Sequence, residues 1–397
     1  MNDRSPSIPA IKGGQPLTQD SIPFHRPTVS SEEVEAVQRA IESQYIAGPG
    51  PHCMKVEEIL EKRWNVPRVL TVTSCTHAME LALLTAELKP EAEVIVPTFT
   101  YVSSAQAVLR SGGTPVFADV DPETGMITRE TVEQSLTNNT EAVMMVHYGG
   151  FPGSMREIKK LCETEDLFLL EDAAQAFGSR RGDHPAGTVG RFGAISFHGT
   201  KSLTCGEGGI LIVNNEADIS RAEMIRDKGT DRSATRLGDV DRYTWRTIGS
   251  SYVLSDILGA VLLKQIRRWN EIHEKRRAVQ DAIRRGIESI DTHDHFQALK
   301  PPSHAEENGH ITAFLFEPPQ RRNWMLQALQ AEGIQAREHY HLLHNSPYAQ
   351  KHLPTDRSFP GADRFKRRIL RLPAYPDLSK QQIKMIIQAV EKIYPYI

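Results

Sequence analysis

Cysteine is scarce: the 397-residue chain has four, Cys53, Cys75, Cys162 and Cys205, far apart and without a C-x-x-C pair. A disulfide framework or a zinc site therefore has no support in the ligand spacing, and a reducing, cytoplasmic setting is expected. Long apolar runs are missing too. The longest, such as residues 142–146 and 167–170, fall far short of the roughly 18 residues that cross a bilayer. The first residues carry Asp3, Arg4, Pro6, Pro9, Gly13, Gly14 and Pro16, with no signal-peptide stretch, so residues 1–20 are expected to be a flexible leader. Charge of one sign is also in short supply. Forty-seven Lys plus Arg against 50 Asp plus Glu leave a net charge of -3, and with no long basic run a nucleic-acid partner is not expected. Finally, no G-x-G-x-x-G follows the first strand, which argues against a nicotinamide dinucleotide site.

With 39% hydrophobic and 24% charged residues, the chain has the composition of an ordinary globular protein. Its length suits two domains, or one large α/β unit with an appendage. Helical and strand periods alternate from Ser30 onward. Val34, Val37, Ala40 and Ile41 recur at helix spacing behind Ser30 and Ser31. Strands are expected at 94–97, 114–119, 142–147, 167–170, 194–197 and 209–213, with helices between them. Such continuous apolar strands mean a largely parallel sheet covered on both faces. A long helical pattern over 254–287 leads to a smaller α+β part, with a strand at 310–316, a helix at 322–331 and a last helix whose Ser379 and Gln382 stand at capping-box spacing. The expected organisation is a leader over 1–20, a large domain over 21–252, and a linking helix with a small domain over 253–397.

Ligands of open α/β sheets gather at the carboxyl ends of the strands, and four groups of residues fall there. Thr73-Ser74-Cys75-Thr76 opens a helix after an apolar strand, either as a phosphate cradle or as a plain helix cap. Asp172 ends the run Leu167-Phe168-Leu169-Leu170-Glu171, as an acceptor for loop amides or as the partner of a protonated pyridine nitrogen, with Gln175 in reach of the same ligand. Lys201 lies in a turn between two apolar strands, among Ser196, Thr200, Ser202 and Thr204. It is either a surface cation or, in a closed site, a free amine able to form a Schiff base; His198 beside it is a substrate contact or a loop histidine. Phe99 and Tyr101 follow the strand 94–97, where a ring can stack on a planar cofactor, although packing explains Phe99 better.

In this order the four groups resemble the DegT/DnrJ-type nucleotide-sugar aminotransferases, a pyridoxal 5'-phosphate family of the aspartate-aminotransferase (type I) fold. The likeness runs from about Ile22 to the C-terminus and is strongest over LEDAAQAFGS (170–179) and ISFHGTKSLTCGEGG (195–209). It implies Lys201 as the Schiff-base lysine, Asp172 as the pyridine-nitrogen partner, Gln175 beside the phenolate oxygen and Tyr101 stacked on the ring. Cys75, Thr76 and Ser196 would then hold the phosphate. DRYTWRTIGSSYVLSD (241–256), RDKGTDR (226–232) and HYHLLH (339–344) look like the branch that aminates C4 of dTDP-4-keto-6-deoxyglucose, giving dTDP-4-amino-4,6-dideoxygalactose with L-glutamate as donor. In many members an asparagine of the partner subunit reaches the phosphate from this segment, and Ser251 stands near its place. The resemblance thus implies a homodimer with a shared active site, and the missing long apolar run means that no membrane partner is expected. Arg226, Lys228 and Arg232, suited to phosphate contact, with His198, His339 and His341, are the expected substrate residues. The alternatives are another keto nucleotide sugar, 3-keto or UDP-linked, or a regulator on the same fold. A sister dehydratase would replace the lysine, and Lys201 is present.

Overall fold

The computed structural model describes residues 8–238, 240–290 and 295–397. Seven strands form the central sheet: β1 (Arg68–Val72), β2 (Glu93–Pro97), β3 (Thr114–Ala118), β4 (Thr140–Val146), β5 (Phe168–Asp172), β6 (Phe192–Ser196) and β7 (Gly209–Val213). Their order is β1-β7-β6-β5-β4-β2-β3. Every hydrogen-bonded pair is parallel except the two made by β7, which runs against both β1 and β6. Four helices precede or separate the first strands: α1 (Ser31–Glu42), α2 (Pro51–Trp64), α3 (Cys75–Ala86) and α4 (Val102–Arg110). Pleating explains the unbroken apolar runs. Val94 and Val96 pack with Met79 and Leu83 of α3, whereas Ile95 between them packs with Phe117 and Val143 on the other face. Both faces of β2 are buried, so both are apolar.

The long pattern over 254–287 is two helices, α5 (Asp256–Arg267) and α6 (Trp269–Glu288). The break at Arg268 has φ -105° and ψ 8°. There the guanidinium bonds Ser30 and Glu33, while the next ring, Trp269, packs 4.8 Å from Phe177. Tertiary contacts thus interrupt a run in which helix propensity alone would continue. Beyond α6, β8 (Phe296–Ala298), β9 (Thr312–Phe316) and β10 (Ile369–Leu372) make an antiparallel sheet in that order. The last helix, α7 (Lys380–Ile393), carries the Ser379/Gln382 capping box.

Two features are set by tertiary contacts. Residues 8–20 of the leader are held in place. Glu332 accepts from Ala10 N–H (2.8 Å) and Leu17 N–H (2.9 Å), and Lys392 donates to the Gln15 carbonyl (2.6 Å). The apolar stripe of α1, moreover, is split between an inward and an outward face. Glu33, Ala36 and Ala40 face inward, with both alanines against Ala260 of α5, while Val34 is 65% and Ile41 55% exposed. Small residues allow the close helix contact, and the larger ones stay uncovered.

Candidate active site

A cavity of about 550 Å³ opens where β4, β5 and β6 end and where the turns after β1 and β2 begin. It gathers nine residues expected from the sequence: Lys201, Asp172, Gln175, Ser196, Cys75, Thr76, Tyr101, His198 and His339. Asp172 is the last residue of β5 and is 5% exposed. Its Oδ2 accepts from Ser104 Oγ (2.8 Å) and its Oδ1 from Ala174 N–H (3.1 Å), which fixes the carboxylate's direction. Gln175 is clamped from both sides: Oε1 accepts from Gly149 N–H (2.7 Å) and Nε2 donates to the Tyr340 hydroxyl (2.8 Å). Lys201 sits at the turn leaving β6, its N–H bonded to the His198 carbonyl. Burial pushes the lysine pKa below its ordinary value and Arg371 pushes the same way, against the pull of Cys75 and Asp172. A lowered pKa enriches the free amine, the form that attacks a carbonyl carbon.

The turn after β1 builds an anion cradle. Ser74 caps α3, its Oγ accepting from His77 N–H (3.1 Å). The N–H groups of Cys75 and Thr76, in the first turn, have no acceptor inside the helix, and the positive end of the helix dipole adds to them. Thr76 donates to Ser103 (2.8 Å). Gly209 lets β7 begin against this turn, because a Cβ there would stand 2.6 Å from the Cys75 nitrogen. Pyridoxal 5'-phosphate fits this donor set. The first turn of α3 with Ser196 would take the phosphate, Asp172 the ring nitrogen and Lys201 the carbonyl carbon.

Beneath the cavity lies a charge network that the sequence did not disclose. Glu171 is fully buried. It accepts from His147 Nε2 (2.9 Å) and from the N–H groups of Gly187 (3.0 Å), Val189 (2.7 Å) and Gly190 (2.7 Å). Burial alone would raise its pKa, but the hydrogen bond from His147 together with those from the loop amides holds it below the ordinary carboxylate value. His147 Nδ1 accepts from Gly153 N–H (3.2 Å), so its proton sits on Nε2. His147 N–H in turn donates to the Asp172 carbonyl (3.0 Å), linking the network to the site.

Several expected residues lie outside this cavity. Arg226 is buried in an ion pair with Glu57 (2.7 Å), which ties the last turn of its helix to α2. Lys228 pairs with Asp227 (3.0 Å) and Arg232 lies 5.7 Å from the Tyr243 ring. Ser251 is exposed and bridges to Asp227, and His341 is exposed next to the half-buried, stacked pair His339–Tyr340. None of the five lines the cavity of its own chain. For Arg226 the substrate role is corrected to a structural one, since a partner carboxylate already occupies its guanidinium. Sequence reading missed Ser104, His147, His310 and Arg371 at the site. Ser104 stands one helical turn from Thr100, to which it is bonded (2.9 Å), but nothing local marks it as Asp172's partner. Tyr101 is 59% exposed at the cavity mouth, whereas Phe99 is fully buried 5.0 Å from Tyr148 and Phe365.

Comparison with known proteins agrees with this geometry. Residues 27–391 match the DegT/DnrJ/EryC1/StrS aminotransferase family. GDP-perosamine synthase of Escherichia coli O157:H7 is 30% identical over 375 residues, covering 94% of this chain and 98% of that protein. Among solved structures, the aminotransferase TlmJ from Streptoalloteichus hindustanus is 27% identical with a TM-score of 0.85, covering 93% of this chain and 98% of its own. S. venezuelae DesV, solved in complex with a ketimine intermediate, is 26% identical with a TM-score of 0.85, covering 96% and 100%.

Proposed function

The chain belongs to the DegT/DnrJ/EryC1/StrS aminotransferase family, an enzyme with pyridoxal 5'-phosphate as cofactor, and from that premise we propose that it moves the amino group of L-glutamate to C4 of dTDP-4-keto-6-deoxyglucose. The product is dTDP-4-amino-4,6-dideoxygalactose. The observation that carries the amino-transfer reading is the half-buried Lys201, its pKa lowered by its surroundings, in one cavity with a fixed Asp172. Support for the sugar comes from the likeness of residues 241–256 and 339–344. The GDP-perosamine synthase relative makes a GDP-linked keto sugar the second reading for the nucleotide.

When bound, the cofactor supplies an electron sink for the carbanion formed at the amino-bearing carbon. The chain supplies the rest. Asp172 holds the proton on the ring nitrogen, and Gln175, locked by Gly149 and Tyr340, presents a fixed amide to the ring's phenolate side. Lys201 Nζ would take the α-proton of the donor and later deliver a proton at the sugar carbon. His310, Tyr340 and Arg371, contributed after α6, wall the cavity and limit the water that reaches it.

A homodimer with a shared site is part of the proposal. It is supported by apolar groups that nothing among the described residues covers: Val34, Ile41, Trp245 (80% exposed) and Ile248 (76%). Arg232, Lys228 and Ser251, outside their own cavity, would then serve the neighbour's. Sedimentation of a fully active monomer would end that part. The enzyme is tested by incubating it with L-glutamate and a panel of 3-keto and 4-keto sugars linked to dTDP, UDP and GDP, and identifying products by mass and NMR. An axial 4-amine on the dTDP sugar is expected. A 3-amine or a preference for another nucleotide refutes the substrate, and no amination of any keto nucleotide sugar refutes the function.

A further inference from the structure

We propose that Arg371 takes the α-carboxylate of the amino-acid donor. Five arginines are buried among the described residues: Arg226, Arg276, Arg322, Arg368 and Arg371. Arg226, Arg322 and Arg368 each pair with a carboxylate. Arg276 shares its donors among the carbonyls of Gly309, His310 and Ala374 (3.3–3.4 Å). Arg371 differs. It is 8% exposed and lines the cavity, yet its guanidinium has one hydrogen bond, from Nη2 to the Glu338 carbonyl (3.1 Å), and its Nε has no partner. No carboxylate among the described residues pairs with it.

Its position is fixed from the backbone up. Arg371 lies in β10, opposite Ala313 of β9, and exchanges both backbone hydrogen bonds with Arg337 (2.8 and 3.0 Å). The guanidinium carbon lies 4.7 Å from the Phe24 ring, another wall of the cavity. A buried cation without a counter-charge is costly, and a ligand carboxylate would supply both charge and acceptors. The cavity offers no internal substitute. Its two acidic residues are Asp172, held by Ser104 and Ala174, and Glu207, 3.4 Å from His198 Nε2.

The two substrates present different anions. In an amino acid the α-carboxylate is one bond from the reacting carbon, which must meet Lys201. In a 4-keto nucleotide sugar the diphosphate is attached across the ring from the reacting carbon. Arg371 and Lys201 line the same cavity, so the anion nearer the reacting carbon is the one it meets. Guanidinium and carboxylate also match in shape for two parallel hydrogen bonds.

This inference rests on the aminotransferase reading, and the two fail differently in the test. Arg371→Lys and Arg371→Met are compared with the parent for L-glutamate binding to the pyridoxamine-phosphate form by calorimetry, where no amino transfer follows. They are also compared for KM and kcat of each half-reaction, with thermal melting as the control for folding. A charge-assisted contact of this kind corresponds to about a 10- to 100-fold weaker glutamate affinity in Arg371→Met. Arg371→Lys should recover part of it, with KM for the keto sugar within about threefold of the parent. Unchanged glutamate binding, a loss confined to the keto sugar, or equal losses for both substrates with a lowered melting point would each overturn the assignment. Absence of sugar amination by the parent would sink the proposed function while leaving the glutamate comparison readable.

Discussion

Replacing Glu171 by Gln changes one oxygen of a buried carboxylate into an NH2 group. Oε1 accepts from Val189 and Gly190 N–H, and Oε2 from His147 Nε2 and Gly187 N–H. Whichever way the amide turns, its NH2 faces two donors and leaves both without an acceptor. His147 cannot relieve this by moving its proton to Nδ1, which accepts from Gly153 N–H. At about 1–3 kcal/mol for each unsatisfied buried donor, Glu171→Gln should destabilise by about 2–6 kcal/mol at neutral pH. The pH dependence has a definite sign. Glu171 has a folded pKa below its ordinary 4.5, so its contribution is present above that value and is lost as pH falls through the folded pKa. Urea unfolding followed by circular dichroism at several pH values should show a wide gap between parent and variant at pH 7 and a narrowing gap in acid. A gap under about 0.5 kcal/mol, or one unchanged down to the lowest pH at which the parent still folds, would refute the network as drawn.

Three further outcomes follow from the site. Borohydride reduction of the cofactor-loaded enzyme and peptide mapping should place the phosphopyridoxyl mass on Lys201, and its appearance on another lysine would remove Lys201 from its role. Asp172→Asn keeps an acceptor for Ser104 but removes the charge that holds the ring-nitrogen proton, so turnover should fall by orders of magnitude on a folded protein; near-parental turnover would count against it. Arg226→Met takes one of two cations from buried Glu57, which keeps Arg68 (3.3 Å) and the Thr71 donors, and should cost about 1–3 kcal/mol of stability, with KM for the nucleotide sugar unchanged. A selective rise in that KM would restore Arg226 to substrate binding.

Much of the large sheet was legible in the sequence because its signal is local. Buried parallel strands read as short apolar runs, and strands at 94–97 and 209–213 coincide with β2 and β7. Lys201, Asp172 and the Ser74-capped helix were legible for a related reason: a ligand site at strand ends draws its residues from the turns that follow apolar runs. What the sequence by itself could not determine was direction and partnership. It marked α1 as amphipathic, but only packing of Ala36 and Ala40 on Ala260 decided that Val34 and Ile41 face outward. Arg226 had the right chemistry for phosphate, until Glu57, 169 positions away, claimed it. Arg371 lies between two leucines, and only the joining of β10 to the cavity wall makes it a buried cation without a carboxylate among the described residues. Charge is written in the sequence, but its compensation depends on residues that are distant along the chain and adjacent in the fold.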